Sequence, residues 1–258
     1  MINETKKSYK IVKINKLNIR YSYYKRKTSG PKVSVLFLSG YRSDMEGTKA
    51  KYLSNLSREI GFEFLKFDYS GHGNSEGNIN EQCLSDWLNE ANFFINKKLS
   101  FPIILVGSSM GGWLSILLGK KLKSKIKGII GIGTAPDFTR QIIKNLSNNK
   151  KKIYKNKGFI KIKTKYDSDD YIFTKNFIND SKKHFVLESQ IKINSIIHLL
   201  YGSFDEAVNL DSQLKLLKTL NSKITKLTII KNSDHRMSSP SDLETLRQTF
   251  LQIIKDIL

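Results

Sequence analysis

An α/β architecture, with a mostly parallel central sheet and helices on both of its faces, is the fold class this chain predicts. Three observations carry it. Short apolar runs alternate with longer segments of helical period along the sequence. The runs are continuous, as in VSVLFLS at residues 33–39, which is the pattern of strands covered on both faces. The size also fits, since 258 residues with 39 % hydrophobic and 26 % charged suit one large globular domain.

Taken in order, two β-rich runs at 9–14 and 17–24 read as a hairpin turning at Asn15-Lys16. Further strands are expected at 33–39, 62–67, 103–107, 128–134, 196–201 and 227–231. Helical segments fall between them at about 46–60, 81–98, 110–123, 209–220 and 241–257. The last of these places Leu243, Leu246, Phe250, Ile253, Ile254 and Ile257 on one face. Ser239-Pro240 supplies its cap and first turn.

One stretch breaks the alternation. About sixty residues separate the strand ending near Thr134 from the one starting at Ile196, too many for a plain βα connection. Within it, residues 144–165 hold nine lysines and no acid. The expectation is a single domain, 1–258, with a cap or lid inserted at about 137–192 over the C-terminal edge of the sheet. Ile153, Tyr154, Phe159, Ile160 and Ile162 of this insertion are candidates to cover an acyl chain, or simply to pack the lid on the core.

The net charge of +21 comes almost wholly from lysine, 37 Lys against 7 Arg. Such a bias reads as a compositional habit and a solvated surface rather than a nucleic-acid footprint. Cys83 is the single cysteine, which excludes an intramolecular disulfide framework and a Cys-rich zinc site. No apolar run approaches the roughly 20 residues a membrane span needs. The opening Met1-Ile-Asn-Glu-Thr-Lys-Lys is neither a secretory signal nor an Arg-rich, acid-poor transit peptide, so the expected location is cytoplasmic. Gly71-x-Gly73 and Gly131-x-Gly133 lack the third glycine of a dinucleotide loop, and no metal-ligand motif is present, so no cofactor and no metal are expected. Asp68 and His72 in the first of these loops are expected to brace it.

The strongest chemical signal is Gly107-Ser108-Ser109-Met110-Gly111, a G-x-S-x-G with Ser109 at its centre. An apolar strand leads into it and the helical run from Trp113 leads out, the setting of a sharp turn that presents a serine nucleophile. Glycines at 107 and 111 relieve crowding in such a turn. A serine hydroxyl needs a base, and the base needs an orienting carboxylate. Of the histidines after Ser109, His198 lies inside an apolar strand and reads as a core residue with a satisfied ring, while His184 sits in the lysine-rich insertion. His235 follows the last strand, at the edge where open α/β sheets place their sites, and is the candidate base. Asp205, just past the penultimate strand, is the candidate acid, with Glu206 and Asp234 as alternatives. Backbone N–H groups of Met110 and Tyr41 are the candidate oxyanion donors.

These residues carry a resemblance. FLSGYRSDMEGTKA at 37–50, FDYSG at 67–71, LVGSSMGGWL at 105–114 and SDHRM at 233–237 resemble the α/β-hydrolase family that includes a mitochondrial palmitoyl-protein thioesterase and acyl-glucuronide esterase, with its bacterial relatives. The resemblance spans about residues 35–237, with Ser39 standing where Pro is expected in the eukaryotic members. It implies the α/β-hydrolase fold, a nucleophile at Ser109, an acid at Asp205 and a base at His235. It also implies a substrate class of acyl thioesters, including S-acylated proteins, and of carboxylic esters, including acyl glucuronides. A serine peptidase or lipase would use the same three residues. A non-enzymatic basic binding protein, acting through residues 144–165, is the reading from another class.

Overall fold

The computed structural model describes residues 9–164 and 169–258. The leader reading at Met1–Lys7 and Lys165 of the lysine-rich stretch lie outside the described residues.

Strand β1 (Lys10–Ile14) and β2 (Leu17–Tyr24) pair as an antiparallel hairpin. Its two turn residues, Asn15 and Lys16, both take positive φ (48° and 74°), which matches the right-handed twist of the strands it joins. The chain then runs through β3 (Ser34–Leu38), α1 (Thr48–Ile60), β4 (Glu63–Phe67), α2 (Leu84–Lys97), β5 (Ile103–Ser108), α3 (Met110–Lys121) and β6 (Ile126–Ile132). An inserted segment follows: α4 (Phe138–Lys144), α5 (Asn148–Lys157), the antiparallel pair β7 (Phe159–Ile162) and β8 (Tyr171–Thr174), α6 (Lys175–Lys182) and the short β9 (Ile191–Lys192). The sheet resumes with β10 (Ile196–Gly202), followed by α7 (Leu210–Thr219), the short β11 (Leu220–Asn221) paired with β9, β12 (Ile224–Ile230) and α8 (Pro240–Ile257).

The main sheet has eight strands in the order β1-β2-β4-β3-β5-β6-β10-β12. From β4 to β12 every neighbour is parallel, and the β1–β2 hairpin joins antiparallel at one edge. Side chains alternate across it. Leu36, Leu38, Leu105 and Ile129 enter one core with Trp87 of α2 and Trp113 of α3. Val35, Phe37, Ile104, Val106 and Ile130 enter the other with Leu53 of α1 and Phe250 of α8. Both faces being covered explains why the strands read as unbroken apolar runs.

Two strands depart from their expected bounds by two residues or more. The strand expected at 128–134 is Ile126–Ile132, because Gly133 turns to φ 51° and donates its N–H to Leu200 O. The strand expected at 227–231 extends over Ile224–Ile230, its edge position allowing polar Thr225, Lys226 and Thr228 within it. At α8, Ser239 Oγ accepts the Asp242 N–H while Asp242 Oδ2 accepts the Ser239 N–H, a reciprocal cap ahead of Pro240.

Strand order places the site. From β3 the chain steps to β4 on one side and, after α2, to β5 on the other, so the loops leaving β3 and β5 diverge and open a crevice at their C-terminal ends. Tyr41 follows β3 and Ser109 follows β5.

Candidate active site

Ser109 sits between the end of β5 and the start of α3 with φ 55° and ψ −115°. A non-glycine residue there carries strain of order 1–3 kcal/mol, held by its surroundings. Its N–H donates to Ile132 O (2.9 Å) and its carbonyl accepts from Gly112 (3.0 Å) and Ala135 (3.1 Å). The glycines of the turn are forced by contact. A Cβ on Gly107 would collide with the carbonyl of Gly111, and one on Gly111 with the carbonyls of Leu38 and Ser39.

His235 and Asp205 reach Ser109 from loops at the far side of the sheet. The two loops are pressed together where Gly202 meets the backbone of Ser233 and Asp234, with no room for a Cβ. His235 Nε2 lies 3.2 Å from Ser109 Oγ, and His235 Nδ1 lies 2.7 Å from Asp205 Oδ2. An ionised carboxylate only accepts, so Nδ1 carries the proton and Nε2 is left to accept from the serine hydroxyl. Asp205 Oδ1 is held by the N–H groups of Ala207 and Val208, both at 2.9 Å, and its side chain is fully enclosed. Of the alternatives, Asp234 is exposed and takes the Met237 N–H (3.0 Å), and Glu206 is exposed.

The Gly40-Tyr41 loop passes directly over the serine, since a Cβ on Gly40 would stand 3.4 Å from Ser109 Cβ. Among the described residues, neither the Tyr41 nor the Met110 backbone N–H donates to a protein acceptor. Both residues line a cavity of about 570 Å³ that also contains Ser109 and His235. The Tyr41 side chain leaves the crevice and enters the inserted segment. Its ring stacks on Phe173 (5.2 Å) and Phe177 (5.6 Å), and its hydroxyl donates to Ile172 O (2.9 Å). Burial raises the pKa of that phenol, so it stays a donor.

The other histidines are elsewhere. His184 Nε2 pairs with Ser85 Oγ at 2.7 Å, near Asp180. His198 is buried in β10, but its ring is not satisfied as expected: among the described residues Nε2 finds no hydrogen-bond partner, and burial lowers its pKa. Asp68 does brace its loop, accepting the N–H groups of Met45 (2.7 Å) and Asn74 (3.0 Å). His72 is buried against Trp87 and Tyr69, and burial pushes its pKa down to about 4. Cys83, with its thiol pushed up to about 12 by burial and by Asp86, is a weak nucleophile.

Of the two readings for the apolar residues of the insertion, packing on the core is what Ile160, Tyr154 and Ile162 do, and none of the five lines the serine cavity. The cavity wall is Phe138, Tyr171 and Phe173, whereas Ile153, Phe159 and Ile160 line a separate hollow of about 350 Å³ with Lys150, Lys157 and Lys161. The useful signal was the aromatic spacing in Tyr171-Ile-Phe173, which puts both rings on one face of β8.

The sequence family described as serine aminopeptidase, S33, matches residues 29–191, a range that includes Ser109 and stops before Asp205 and His235. The chain belongs to the α/β-hydrolase family. Human mitochondrial palmitoyl-protein thioesterase ABHD10 is 32 % identical to it over 238 residues, 92 % of this chain and 76 % of the relative. The structure of a hydrolase from Agrobacterium vitis S4 superposes with a TM-score of 0.90 at 30 % identity, covering 96 % of this chain and 98 % of that one. Mouse alpha/beta hydrolase domain-containing protein 10 superposes with a TM-score of 0.89 at 29 % identity, covering 97 % of this chain and all (100 %) of that one. The family is one of esterase- and thioesterase-type hydrolases. Among the described residues no helix is long and apolar enough to cross a membrane.

Proposed function

We propose that the protein is a serine hydrolase that cleaves acyl thioesters, including S-acylated cysteine, and carboxylic esters, including acyl glucuronides. Ser109 is its nucleophile, His235 its base and Asp205 its acid. The single observation that carries the reading is the unbroken series Ser109 Oγ, His235 Nε2, His235 Nδ1, Asp205 Oδ2, with steps of 3.2 and 2.7 Å, at the wall of a cavity with an aromatic side.

In this mechanism the Ser109 oxygen bonds to the acyl carbon as His235 Nε2 takes the hydroxyl proton. The carbonyl oxygen becomes an oxyanion held by the N–H groups of Tyr41 and Met110. The intermediate collapses, the bond to the leaving sulfur or oxygen breaks, and the imidazolium returns the proton to that group. Water, deprotonated by the same imidazole, then releases the acid and restores Ser109. Asp205 stabilises the imidazolium and fixes the tautomer without taking up the proton itself. The substrate class is supported by the likeness to a palmitoyl-protein thioesterase and by the aromatic wall, which suits an acyl chain.

The test has two parts. Wild-type protein should be labelled by a fluorophosphonate probe and Ser109→Ala should not; equal labelling of both would move the nucleophile elsewhere. Initial rates should then be compared on an S-palmitoyl peptide, p-nitrophenyl esters, an acyl glucuronide and an aminoacyl amide. Turnover of the amide alone would replace the esterase reading with a peptidase.

A further inference from the structure

The charged side chains lining the cavity beside Ser109 are of one sign. Its described lining includes three cations, Arg42, Lys49 and Arg236, and no carboxylate. They come from separate places in the chain: the loop after β3, the first turn of α1 and the loop after β12. Arg42 is held by donating to Asp170 O (3.0 Å) and by lying over the Tyr171 ring (5.5 Å). Lys49 Nζ donates to the carbonyl of Arg236, which fixes it beside the residue that follows His235. The acids that act on Lys49 are Asp234 and Asp242, and neither lines the cavity. Asp234 takes the Met237 N–H, and Asp242 is bound by the hydroxyls of Ser233 and Ser239. The start of α1 opens onto the same space through Gly47 and Thr48, with no side-chain cap and no acid in its first turn.

Chemistry tells which half of a substrate meets these cations. The departing group receives its proton from His235 Nε2, so it leaves on the His235 side. Arg236 adjoins His235 in the chain and Lys49 is tied to Arg236. The aromatic residues Phe138, Tyr171 and Phe173 all belong to the inserted segment and suit the acyl half.

We propose that Lys49, with Arg236, forms a subsite for an anion carried by the leaving group, so that the best substrates are esters or thioesters whose leaving group bears a phosphate or a carboxylate. This deepens the serine-hydrolase reading and rests on it. Lys49 is the specificity-determining residue, because its ammonium is tied to the carbonyl of Arg236, the residue after the imidazole that protonates the departing group. One charge-assisted hydrogen bond to an anion corresponds to about a tenfold preference.

The experiment uses pairs with the same acyl chain and the same reacting bond. Octanoyl-coenzyme A is compared with octanoyl-N-acetylcysteamine for phosphate, and octanoyl glucuronide with octanoyl glucose for carboxylate. In each pair the ratio of kcat/KM, anionic over neutral, is measured at low salt. At least one ratio should be about tenfold or more, and which one identifies the anion. Lys49→Met should reduce that ratio about tenfold, and Lys49→Arg should restore most of it. Ratios near one in the wild type, or a ratio unchanged in Lys49→Met, would overturn the subsite while leaving the hydrolase reading intact. Because an inactive preparation would give no ratios, thermal shifts of Ser109→Ala protein with coenzyme A and with glucuronate are measured as well. A shift that disappears in Ser109→Ala/Lys49→Met supports the subsite even if turnover is absent, and no shift with either ligand counts against it.

Discussion

Replacing Gly111 by alanine tests whether the serine turn is held by backbone contact. Gly111 lies in the first turn of α3, where alanine ought to gain about 1 kcal/mol from helix propensity alone. Space decides otherwise. A Cβ there would stand 2.0 Å from Leu38 O, with Leu38 C at 2.5 Å and Ser39 O at 2.7 Å. All three are backbone atoms at the end of β3, so no side-chain rotation relieves them. Helix and strand would have to part by about 1.4 Å to reach ordinary contact at 3.4 Å. Overpacking of this kind costs about 1–3 kcal/mol and sometimes more. The upper end applies here, giving a net loss of about 2–3 kcal/mol. For a chain of this size that is a fall in Tm of roughly 4–12 °C. The displaced strand end carries the Gly40-Tyr41 loop, so kcat for a p-nitrophenyl ester should drop more than KM rises. Gly158→Ala is the control, since Gly158 has φ 74° but open space around its Cβ position. It should cost about 1–2 kcal/mol from backbone strain alone and leave kcat unchanged. A Gly111→Ala protein as stable and as active as wild type would refute the contact argument.

Ser109→Gly should raise Tm by a few degrees while abolishing turnover, because glycine accepts φ 55° without the strain that serine carries; a lower Tm, read by calorimetry, would count against stored strain. Asp205→Asn should lower kcat by about 10⁴-fold through the wrong imidazole tautomer, and near-normal turnover would shift the acid to Glu206 or Asp234. His72 gives a pH signature. Its folded pKa is depressed to about 4 by burial, so as the pH falls the unfolded chain takes up the proton first. Its contribution is therefore full above about pH 6.5 and is lost between pH 6.5 and pH 4, by about 3 kcal/mol. Glu90, raised to about 7 by burial, has the opposite sign, stabilising below about pH 4.5 and losing that effect as pH rises through 7. Urea denaturation of wild type and His72→Phe across this range isolates the histidine: the difference should grow in the variant's favour below pH 6.5, and a constant difference would mean His72 titrates normally.

Much of the molecule was legible in the chain because its signals are local. VSVLFLS is apolar on both faces of a strand, and β3 is buried along its length. The turn at Ser109 requires glycine on either side, and Gly107 and Gly111 are pressed against backbone. The spacing of Asp205 and His235 followed from where strands end. What stayed hidden depends on chain segments far apart. Arg42, Lys49 and Arg236 look like ordinary surface cations until the loops after β3 and β12 are folded onto the start of α1. The inserted segment was legible only in part: Ile160 packs in the core while Phe138, Tyr171 and Phe173 reach the serine cavity, a division set by how the segment folds onto the sheet. The orphaned Nε2 of His198 left no trace in the sequence either, since an apolar strand run gives no account of what lies beyond its ring.

The position of Tyr41 bears on the order of events at the crevice. The backbone of this residue borders Ser109, yet its ring is gripped by Phe173 and Phe177 and its hydroxyl by Ile172. In the proposed mechanism, displacing the inserted segment would shift the amide proposed to hold the oxyanion, so turnover would be fastest with these aromatic contacts formed.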